Sequence, residues 1–224
     1  MNRYLLISVL ISILASCSNT PELETGEIKI LAILDQAFQR SGQQKQFIDS
    51  RLLLKRQQID EAKVPVLFVE LPSGQNGTLT PYPGQGIGQT WLGADGATIT
   101  LDRGVLKASR GVGDDLMGSS SSMPSWSKIN GNSPAFRRKL FYLNGNNKIS
   151  ERIFECNIKK SGKRKIIKIW DVKFTVTKFN ENCASGDFKI ENTYYLDDRK
   201  IIRKSKQYHS DTVGYIVTER LDRW

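Results

Sequence analysis

The sequence has few of the residues on which catalytic and cofactor sites most often depend. It contains a single histidine, so a Ser-His-Asp triad would rest on His209 alone, in a segment predicted to be the end of a strand. The alternating glycines Gly84, Gly86 and Gly88 lack the spacing of a dinucleotide-binding fingerprint, and no Lys-Ser or Lys-Thr pair follows them. No apolar run reaches the roughly 20 residues of a membrane-spanning helix. We therefore expect no cofactor and no permanent helical anchor.

The first residues have the pattern of an export signal. Arg3 precedes a short apolar run over residues 4–13, and the small residues of Leu14-Ala15-Ser16-Cys17 follow it. This tetrapeptide resembles the lipobox of bacterial lipoproteins. The alternative is a plain secretory signal in which Cys17 lies near the cleavage point by chance.

The lipobox resemblance implies a lipid anchor. It implies that residues 1–16 are a signal peptide, that Cys17 is lipidated, with palmitate among the acyl chains, and that residues 17–25 form a tether. Two or more acyl chains suffice for stable membrane attachment. Ser18, in place of Asp, implies transfer to the outer membrane, with the protein facing the periplasm.

The two remaining cysteines are predicted to be partners. With Cys17 lipidated, Cys156 and Cys183 form an even pair in an oxidising compartment, where disulfides persist. Two free buried thiols are the alternative. These two cysteines and His209 fall short of the four ligands of a structural zinc site, so we expect no metal.

The chain is basic, with a net charge of +10 that is concentrated in the second half. Two runs carry it: Lys159, Lys160, Lys163, Arg164, Lys165 and Lys168, and then Arg199, Lys200, Arg203, Lys204 and Lys206. Export argues against nucleic acid as the partner of this charge. Acidic polysaccharide, lipopolysaccharide phosphate and anionic lipid are the polyanions available outside the cytoplasm. A solvated face without any partner is the alternative.

The rest of the chain is predicted to be mainly β, in one β-rich domain over residues 26–224. Helical spacing predicts an N-terminal helix over residues 26–40 and a shorter one over residues 57–62. Short alternating segments follow, which indicates an antiparallel β-barrel or a barrel-like sandwich. A long flexible loop is predicted from the serine run to Ser133. Turn signals stand at Asn76-Gly77, Asp95-Gly96, Asp102-Arg103-Gly104, Asn144-Gly145, Ser161-Gly162, Asp197-Asp198 and Ser210-Asp211.

Several motifs resemble the YjbF/GfcB lipoprotein family, which is associated with group 4 capsule and exopolysaccharide gene clusters. They are Trp91 before Asp95-Gly96, the segment Arg110-Gly-Val-Gly-Asp-Asp-Leu-Met117, the paired cysteines, Asn192-Thr-Tyr-Tyr195 and Ser205-Lys-Gln-Tyr208. Tyr195 stands where the family has Trp, and Lys206 where it has Arg. The resemblance covers roughly residues 26–220 and favours the barrel.

Candidate catalytic carboxylates in the patterned region have structural explanations. Asp95 and Asp102 lie at predicted turns, and Asp114 and Asp115 are placed to cap a following turn. Glycosidase chemistry needs two carboxylates about 5 to 10 Å apart in an open site. We expect no enzyme activity.

The resemblance implies a non-catalytic lipoprotein that assists assembly or export of capsule or exopolysaccharide by binding glycan or docking to polysaccharide-export proteins. Trp91, Arg110 and Trp126 are the candidate surface residues, since sugars stack on aromatic rings and arginine pairs with acidic groups. For Trp91 we favour the alternative of a buried core residue, whereas Trp126 is expected to be exposed. An envelope-integrity or stress lipoprotein without glycan contact is the contrasting function.

Overall fold

A computed structural model describes residues 48–82, 89–143, 146 and 148–224. Several expectations lie outside these residues: lipidation of Cys17, the signal peptide and tether, the helix over residues 26–40, Gly84, Gly86 and Gly88, and the turn at Asn144-Gly145.

Two short helices begin the described part of the chain. A 3₁₀ helix spans Ser50–Leu53, and α1 spans Arg56–Ala62, which confirms the shorter predicted helix. The Gln58 side chain accepts the Lys55 N–H at the start of α1, and Lys63 ends the helix in the left-handed conformation before Val64-Pro65. Neither helix is long and apolar enough to cross a bilayer, and within the described ranges no other helix is either.

Twelve strands make up most of the remaining chain. They are β1 Leu67–Glu70, β2 Asn76–Pro81, β3 Gln89–Gly93, β4 Thr98–Asp102, β5 Val105–Arg110, β6 Leu116–Ser121, β7 Phe136–Leu143, β8 Ile149–Ile169, β9 Val172–Ser185, β10 Phe188–Leu196, β11 Ile202–Ser210 and β12 Gly214–Arg220. A second 3₁₀ helix, Trp126–Lys128, lies between β6 and β7.

The strands form one antiparallel sheet that curls into a nearly closed barrel. Its order is β5-β4-β3-β2-β1-β12-β11-β10-β9-β8-β7-β6, so β1 pairs with β12, and β5 and β6 are the two edges. The edges are joined by hydrogen bonds that involve side chains. Ser119 Oγ donates to Leu106 O at 2.9 Å, and Arg110 Nη1 donates to Leu116 O at 3.1 Å. The predicted mainly-β barrel is confirmed.

Two hydrophobic cores stabilise the barrel. The larger core fills the interior, and the smaller one lies beneath α1 on the outer face. Alternate residues in and just before β1 belong to different cores. Leu67 and Val69 belong to the interior core, and Val66 and Phe68 belong to the outer core. Because successive side chains of a strand point to opposite faces, this alternation buries both sides of β1.

Two predicted turns are instead strand residues. Asn76 and Gly77 open β2 and pair with Glu70 and Val69, while the chain reverses just before them, at Gly74 with φ of 85°. Ser161-Gly162 lies within the continuous strand β8, where residues 162–164 bulge opposite Thr177 of β9. Pairing of β8 with β9 on both sides of the bulge overrides the local turn preference.

The long loop predicted from the serine run to Ser133 begins after a strand that we did not predict. Leu116–Ser121 is strand β6, which pairs with β7 and forms an edge of the barrel. The segment after it contains the second 3₁₀ helix and folds back on the barrel, so that Trp126 and Ile129 are buried.

Four predicted turns are confirmed, and one of them depends on a glycine. Asp95-Gly96, Asp197-Asp198 and Ser210-Asp211 all lie at chain reversals. Asp102 pairs with Val105, so that Arg103 and Gly104 form a two-residue turn with φ of 50° and 82°. A Cβ atom on Gly104 would stand 2.6 Å from Cδ1 of Ile202, so only glycine fits.

Candidate functional site

One end of the barrel holds a cavity of about 240 Å³, here called the Trp91 cavity. Its walls come from β1, β3, β4, β11 and β12 and from the turns that precede β5 and β11. The lining residues are Leu67, Gln89, Trp91, Leu101, Arg103, Gly104, Lys200, Ile201, Ile202, Thr218 and Arg220. Apolar side chains form the floor, and exposed Gln89, Arg103 and Lys200 mark the side that faces solvent.

The charge of the Trp91 cavity has one sign. Arg103, Lys200 and Arg220 line it, and none of its lining residues is acidic. Asp222 holds Arg220 in place, because its carboxylate accepts hydrogen bonds from Nε at 2.8 Å and from Nη2 at 2.9 Å. The guanidinium carbon of Arg220 lies 5.0 Å from the ring centroid of Trp91, in cation–π contact.

Trp91 is buried, as we favoured from the sequence. It is 2% exposed, yet its indole Nε1 has no hydrogen-bond partner among the described residues. Buried polar groups in folded proteins are nearly always hydrogen-bonded, and an unpartnered one costs free energy. The Trp91 cavity thus combines a cationic rim with an apolar floor to which the buried Trp91 ring contributes.

The outer wall of the barrel carries a second candidate, here called the basic face. It comprises Lys159, Lys165, Lys178, Tyr195, Lys204 and Lys206. Lys178, Tyr195 and Lys204 stand directly opposite one another across β9, β10 and β11. The register thus brings together residues from both basic runs of the sequence, through a lysine and a tyrosine that lie between those runs.

Most cations of the basic face have no carboxylate partner. Lys204 Nζ lies 2.7 Å from Glu219, whereas no ion pair within the described ranges involves the face's other four lysines. Lys165 Nζ lies 4.7 Å from the Tyr195 ring centroid. Two other members of the basic runs are neutralised, since Arg164 pairs with Asp198 and the buried Arg203 pairs with Asp197.

A buried polar network crosses β7, β9 and β10 inside the barrel. Arg138 donates from Nε at 3.0 Å and from Nη2 at 2.7 Å to one oxygen of Glu181. The other oxygen accepts Asn192 Nδ2 at 2.8 Å and Tyr194 Oη at 2.7 Å. Burial raises the pKa of Tyr194, and Glu181 raises it further. Although burial opposes the charge of Arg138, Glu181 holds its pKa above the ordinary value.

Sequence reasoning missed this network, although a signal for it exists. Glu181 occupies an inward position between Phe179 and Cys183, and Arg138 occupies one between Phe136 and Leu140. A lone charge within an inward-facing apolar series indicates a buried ion pair, because an unpaired charge would be too costly to bury.

The disulfide prediction agrees with the structure. Cys156 and Cys183 face each other across β8 and β9 and are bonded. Glu181 lies close to both sulfur atoms, but bonded sulfurs are not thiolates, which are the form that ligates metals. These three residues therefore do not form a metal centre.

His209 lies beside a serine, but the arrangement is not a catalytic triad. Its Nε2 is 2.8 Å from Ser109 Oγ, and both side chains are buried. Asp115 lies on the serine side of the pair, with its carboxylate 3.5 Å from Ser109 Oγ. No described residue forms a hydrogen bond with His209 Nδ1. A triad needs its carboxylate on that second ring nitrogen.

Two of the four candidate carboxylates accept backbone N–H groups at turns: Asp95 does so as predicted, whereas Asp115 caps the turn that precedes it and not a following one. Asp115 accepts the backbone N–H groups of Gly111 and Val112, at 3.0 and 3.1 Å. Asp95 accepts the N–H of Ala97 at 3.0 Å. Asp102 lies beside Arg103.

Of the other two candidate surface residues, Trp126 is buried and Arg110 is exposed. The predicted exposure of Trp126 is wrong: it is 5% exposed and packs edge-on against Phe179 and Tyr194, with centroids 5.5 and 5.0 Å away. Burial of a large aromatic side chain outweighs the polarity of its serine-rich surroundings. Arg110 is exposed, and it links the two barrel edges through Leu116 O.

A smaller depression lies at the opposite end of the barrel. It has a volume of about 200 Å³, and its lining includes Tyr142, Arg152, Tyr208 and Asp211. Arg152 binds both oxygens of Asp211, at 2.8 and 2.7 Å, and Tyr208 also donates to this carboxylate. These hydrogen bonds lower the pKa of Asp211 to about 2.

Comparison with solved structures identifies the fold. The chain is similar to the hypothetical lipoprotein YmcC from Escherichia coli K12, with a TM-score of 0.70 and 15% identity over 91% of this chain and 98% of that one. At this identity the likeness shows the fold alone. A putative exported protein with a YmcC-like fold from Bacteroides fragilis matches with a TM-score of 0.36 and 11% identity, over 70% and 93% of the two chains.

Comparison at the level of sequence identifies the family. No curated protein sequence matches the chain significantly. The family model described as "Group 4 capsule polysaccharide lipoprotein gfcB, YjbF" matches residues 32–221, which is most of the chain. The resemblance carried by Trp91, the paired cysteines and the Asn192 and Ser205 motifs is thereby confirmed, and the chain belongs to the YjbF family of group 4 capsule polysaccharide lipoproteins.

Proposed function

We propose that this chain is a non-catalytic lipoprotein that binds acidic polysaccharide during capsule or exopolysaccharide assembly or export. Cys17 would carry the lipid that holds it on the periplasmic side of the outer membrane. The polysaccharide would lie along the basic face. Family membership supports the link to capsule polysaccharide, and the geometry of the basic face supports binding of an acidic polymer.

The observation that carries this proposal is the row formed by Lys178, Tyr195 and Lys204 on neighbouring strands. Neighbouring strands lie about 4.8 Å apart, so the row spans about 10 Å. Lysine ammonium groups attract carboxylate or phosphate groups, and a tyrosine ring offers an apolar face to a sugar. A linear acidic polymer would meet both kinds of group along this row.

Binding can be tested with the full-length lipidated chain in detergent micelles. The probes are polygalacturonate, an acidic polymer of sugars, and dextran, which is neutral. We expect saturable binding of polygalacturonate at low salt, strong weakening at high salt, and no binding of dextran. The double variant Lys178→Gln/Lys206→Gln should weaken binding about tenfold.

A matched control distinguishes the effect of the basic face on binding from the effect of net charge. Lys55→Gln/Lys128→Gln also removes two exposed positive charges, one beside α1 and one in the second 3₁₀ helix, both outside the basic face. Polygalacturonate binding should be almost unchanged in this variant. Absence of binding by the wild-type chain at low salt, or equal losses in both variants, would overturn the proposal.

The cellular role has its own test. Deletion of the gene should reduce capsule or exopolysaccharide at the cell surface, and Cys17→Ser should release the protein from the membrane fraction. Normal surface polysaccharide with altered envelope permeability would instead support an envelope-integrity lipoprotein. Depolymerisation of the polysaccharide by the wild-type protein that Asp115→Asn abolishes would contradict a non-catalytic role.

A further inference from the structure

We infer that the Trp91 cavity binds a single hexuronate unit, a sugar ring that bears one carboxylate. This inference rests on the proposed function for the acidic character of the glycan, and it assigns recognition of one sugar to a site apart from the basic face. Three observations carry it: the size of the cavity, the apolar floor to which Trp91 contributes and the charge of the lining.

The size of the Trp91 cavity limits the ligand. Its volume of about 240 Å³ lies below the roughly 300–1,000 Å³ of sites for drug-sized molecules. A chain of several sugar rings does not fit such a space, whereas one ring does. The cavity would therefore receive one unit or one end of a glycan.

Trp91 is one of the residues that line the cavity, so its ring belongs to the apolar surface that a sugar would cover. Its Nε1 is buried and has no partner in the described part of the chain, and it has almost no surface for a ligand to contact directly. A charged ligand in the cavity would still change the surroundings of the ring, so the indole signal reports whether the cavity is occupied.

The lining separates an apolar floor from a cationic rim. Leu67, Leu101 and Ile202 can pack on the C–H groups of a sugar ring, while Arg103, Lys200 and Arg220 attract its carboxylate. The hydrogen bonds of Arg220 to Asp222 use Nε and Nη2, which leaves Nη1 for a ligand. A neutral sugar would offer no negative charge to these cations, and a bare phosphate would leave the apolar floor uncovered.

The indole N–H of Trp91 gives a direct readout. The chain has four tryptophans, so ¹⁵N-tryptophan labelling of the full-length protein in micelles gives four indole signals. Trp91→Phe identifies its signal, and the other three report whether the variant is folded. The probes are glucuronate, glucose and inorganic phosphate, each titrated to about 10 mM, which covers millimolar dissociation constants.

We expect glucuronate to shift the Trp91 signal in a saturable manner. Glucose and phosphate should bind at least about tenfold more weakly, and Arg103→Gln/Lys200→Gln should weaken glucuronate binding about tenfold. Lys55→Gln is the control and should have no effect. An unmoved Trp91 signal, or equal shifts with glucose or phosphate, would overturn the inference.

The two proposals fail separately. Polygalacturonate binding that depends on Lys178 and Lys206, with a Trp91 signal that glucuronate does not move, overturns the cavity assignment and supports the basic face. A saturable glucuronate shift at Trp91 without polymer binding supports the cavity and overturns the basic face.

Discussion

Oγ of Ser109 and Nε2 of His209 lie 2.8 Å apart and join β5 to β11 through the barrel interior. Ser109 is 1% exposed and His209 is fully buried. Burial lowers the pKa of His209, although the nearby Asp115 and Asp114 partly oppose this shift. The edge strand β5 is therefore held by a histidine that is more easily protonated in the unfolded chain than in the folded one.

The free energy of unfolding should fall as the pH falls below about 6.5, the ordinary histidine pKa. The reason is that the unfolded chain binds a proton at His209 first, while the folded pKa is lower. His209→Gln should abolish this loss between about pH 7.5 and 5.5. Denaturant titrations at several pH values check it, and the single histidine makes the assignment unambiguous.

The same pH dependence in wild type and variant would show that other groups cause it. His209→Gln keeps a donor and an acceptor near Ser109, so that it serves as a conservative replacement. Carboxylates titrate near pH 4, outside this range.

The buried pair of Arg138 and Glu181 should be far more sensitive to substitution than an exposed pair on the neighbouring strands β7 and β8. Glu181→Gln leaves a buried guanidinium without its counter-charge and should lower the free energy of unfolding by about 3 to 5 kcal/mol. Glu155→Gln is the matched control, because Glu155 binds Arg137 with both side chains 61% exposed. It should cost at most about 1 kcal/mol. Urea denaturation of the three proteins measures both differences.

A second variant tests whether the loss reflects the unpaired charge. Arg138→Met in the Glu181→Gln background removes that charge and should restore part of the lost stability. No recovery in the double variant would show that the loss arises from disturbed packing.

The disulfide should stabilise the fold measurably. Cys156→Ala/Cys183→Ala removes a link between residues 27 apart in sequence and should lower the free energy of unfolding by about 2 to 4 kcal/mol. Reductant should destabilise the wild-type protein and leave the double variant unchanged. Equal sensitivity of both proteins to reductant would contradict this expectation.

Gly104 should tolerate alanine less well than Gly96, although both have φ of 82°. At Gly96 no atom lies within 4 Å of the added Cβ. Gly96→Ala should therefore lower the free energy of unfolding only by the cost of a left-handed alanine, about 1 to 2 kcal/mol. Gly104→Ala adds a clash with Ile202, which should cost about 1 to 3 kcal/mol more.

Shortening Ile202 provides the test of the clash. Thermal unfolding should show that Gly104→Ala costs less in the Ile202→Val background than in wild type. An unchanged cost would mean that backbone strain alone determines the effect.

Local sequence signals were sufficient for some hairpins of the barrel and failed for others. Asp95-Gly96 turns as predicted because the strands on either side, around Trp91 and Ile99, pair with each other directly. Asn76-Gly77 has an equally strong turn signal and becomes strand, since β2 must align Leu79 with Leu67. Turn preference is local, whereas register is decided by the partner strand.

The Trp91 cavity and the basic face could not be predicted from spacing. The cavity joins Leu67, Arg103 and Arg220, which are distant in sequence and meet only when the barrel closes. Lys178 and Tyr195 lie outside the two basic runs and join them only through the pairing of β9, β10 and β11. Both sites therefore depend on the order in which the strands pair in the sheet.

The pairing of β1 with β12 divides the sheet into two wings. One wing runs from β1 to β5 and the other from β12 back to β6, and within each wing every strand pairs with its neighbour in sequence. Contacts between residues that are close in sequence form quickly. The pairing of β1 with β12, which joins Leu67 to Arg220, instead requires closure of a chain loop that includes most of the domain. We therefore expect folding to begin in both wings independently and the pairing of β1 with β12 to form last. Since Leu67 and Arg220 both line the Trp91 cavity, the cavity exists only once the last strand of the chain has joined the first.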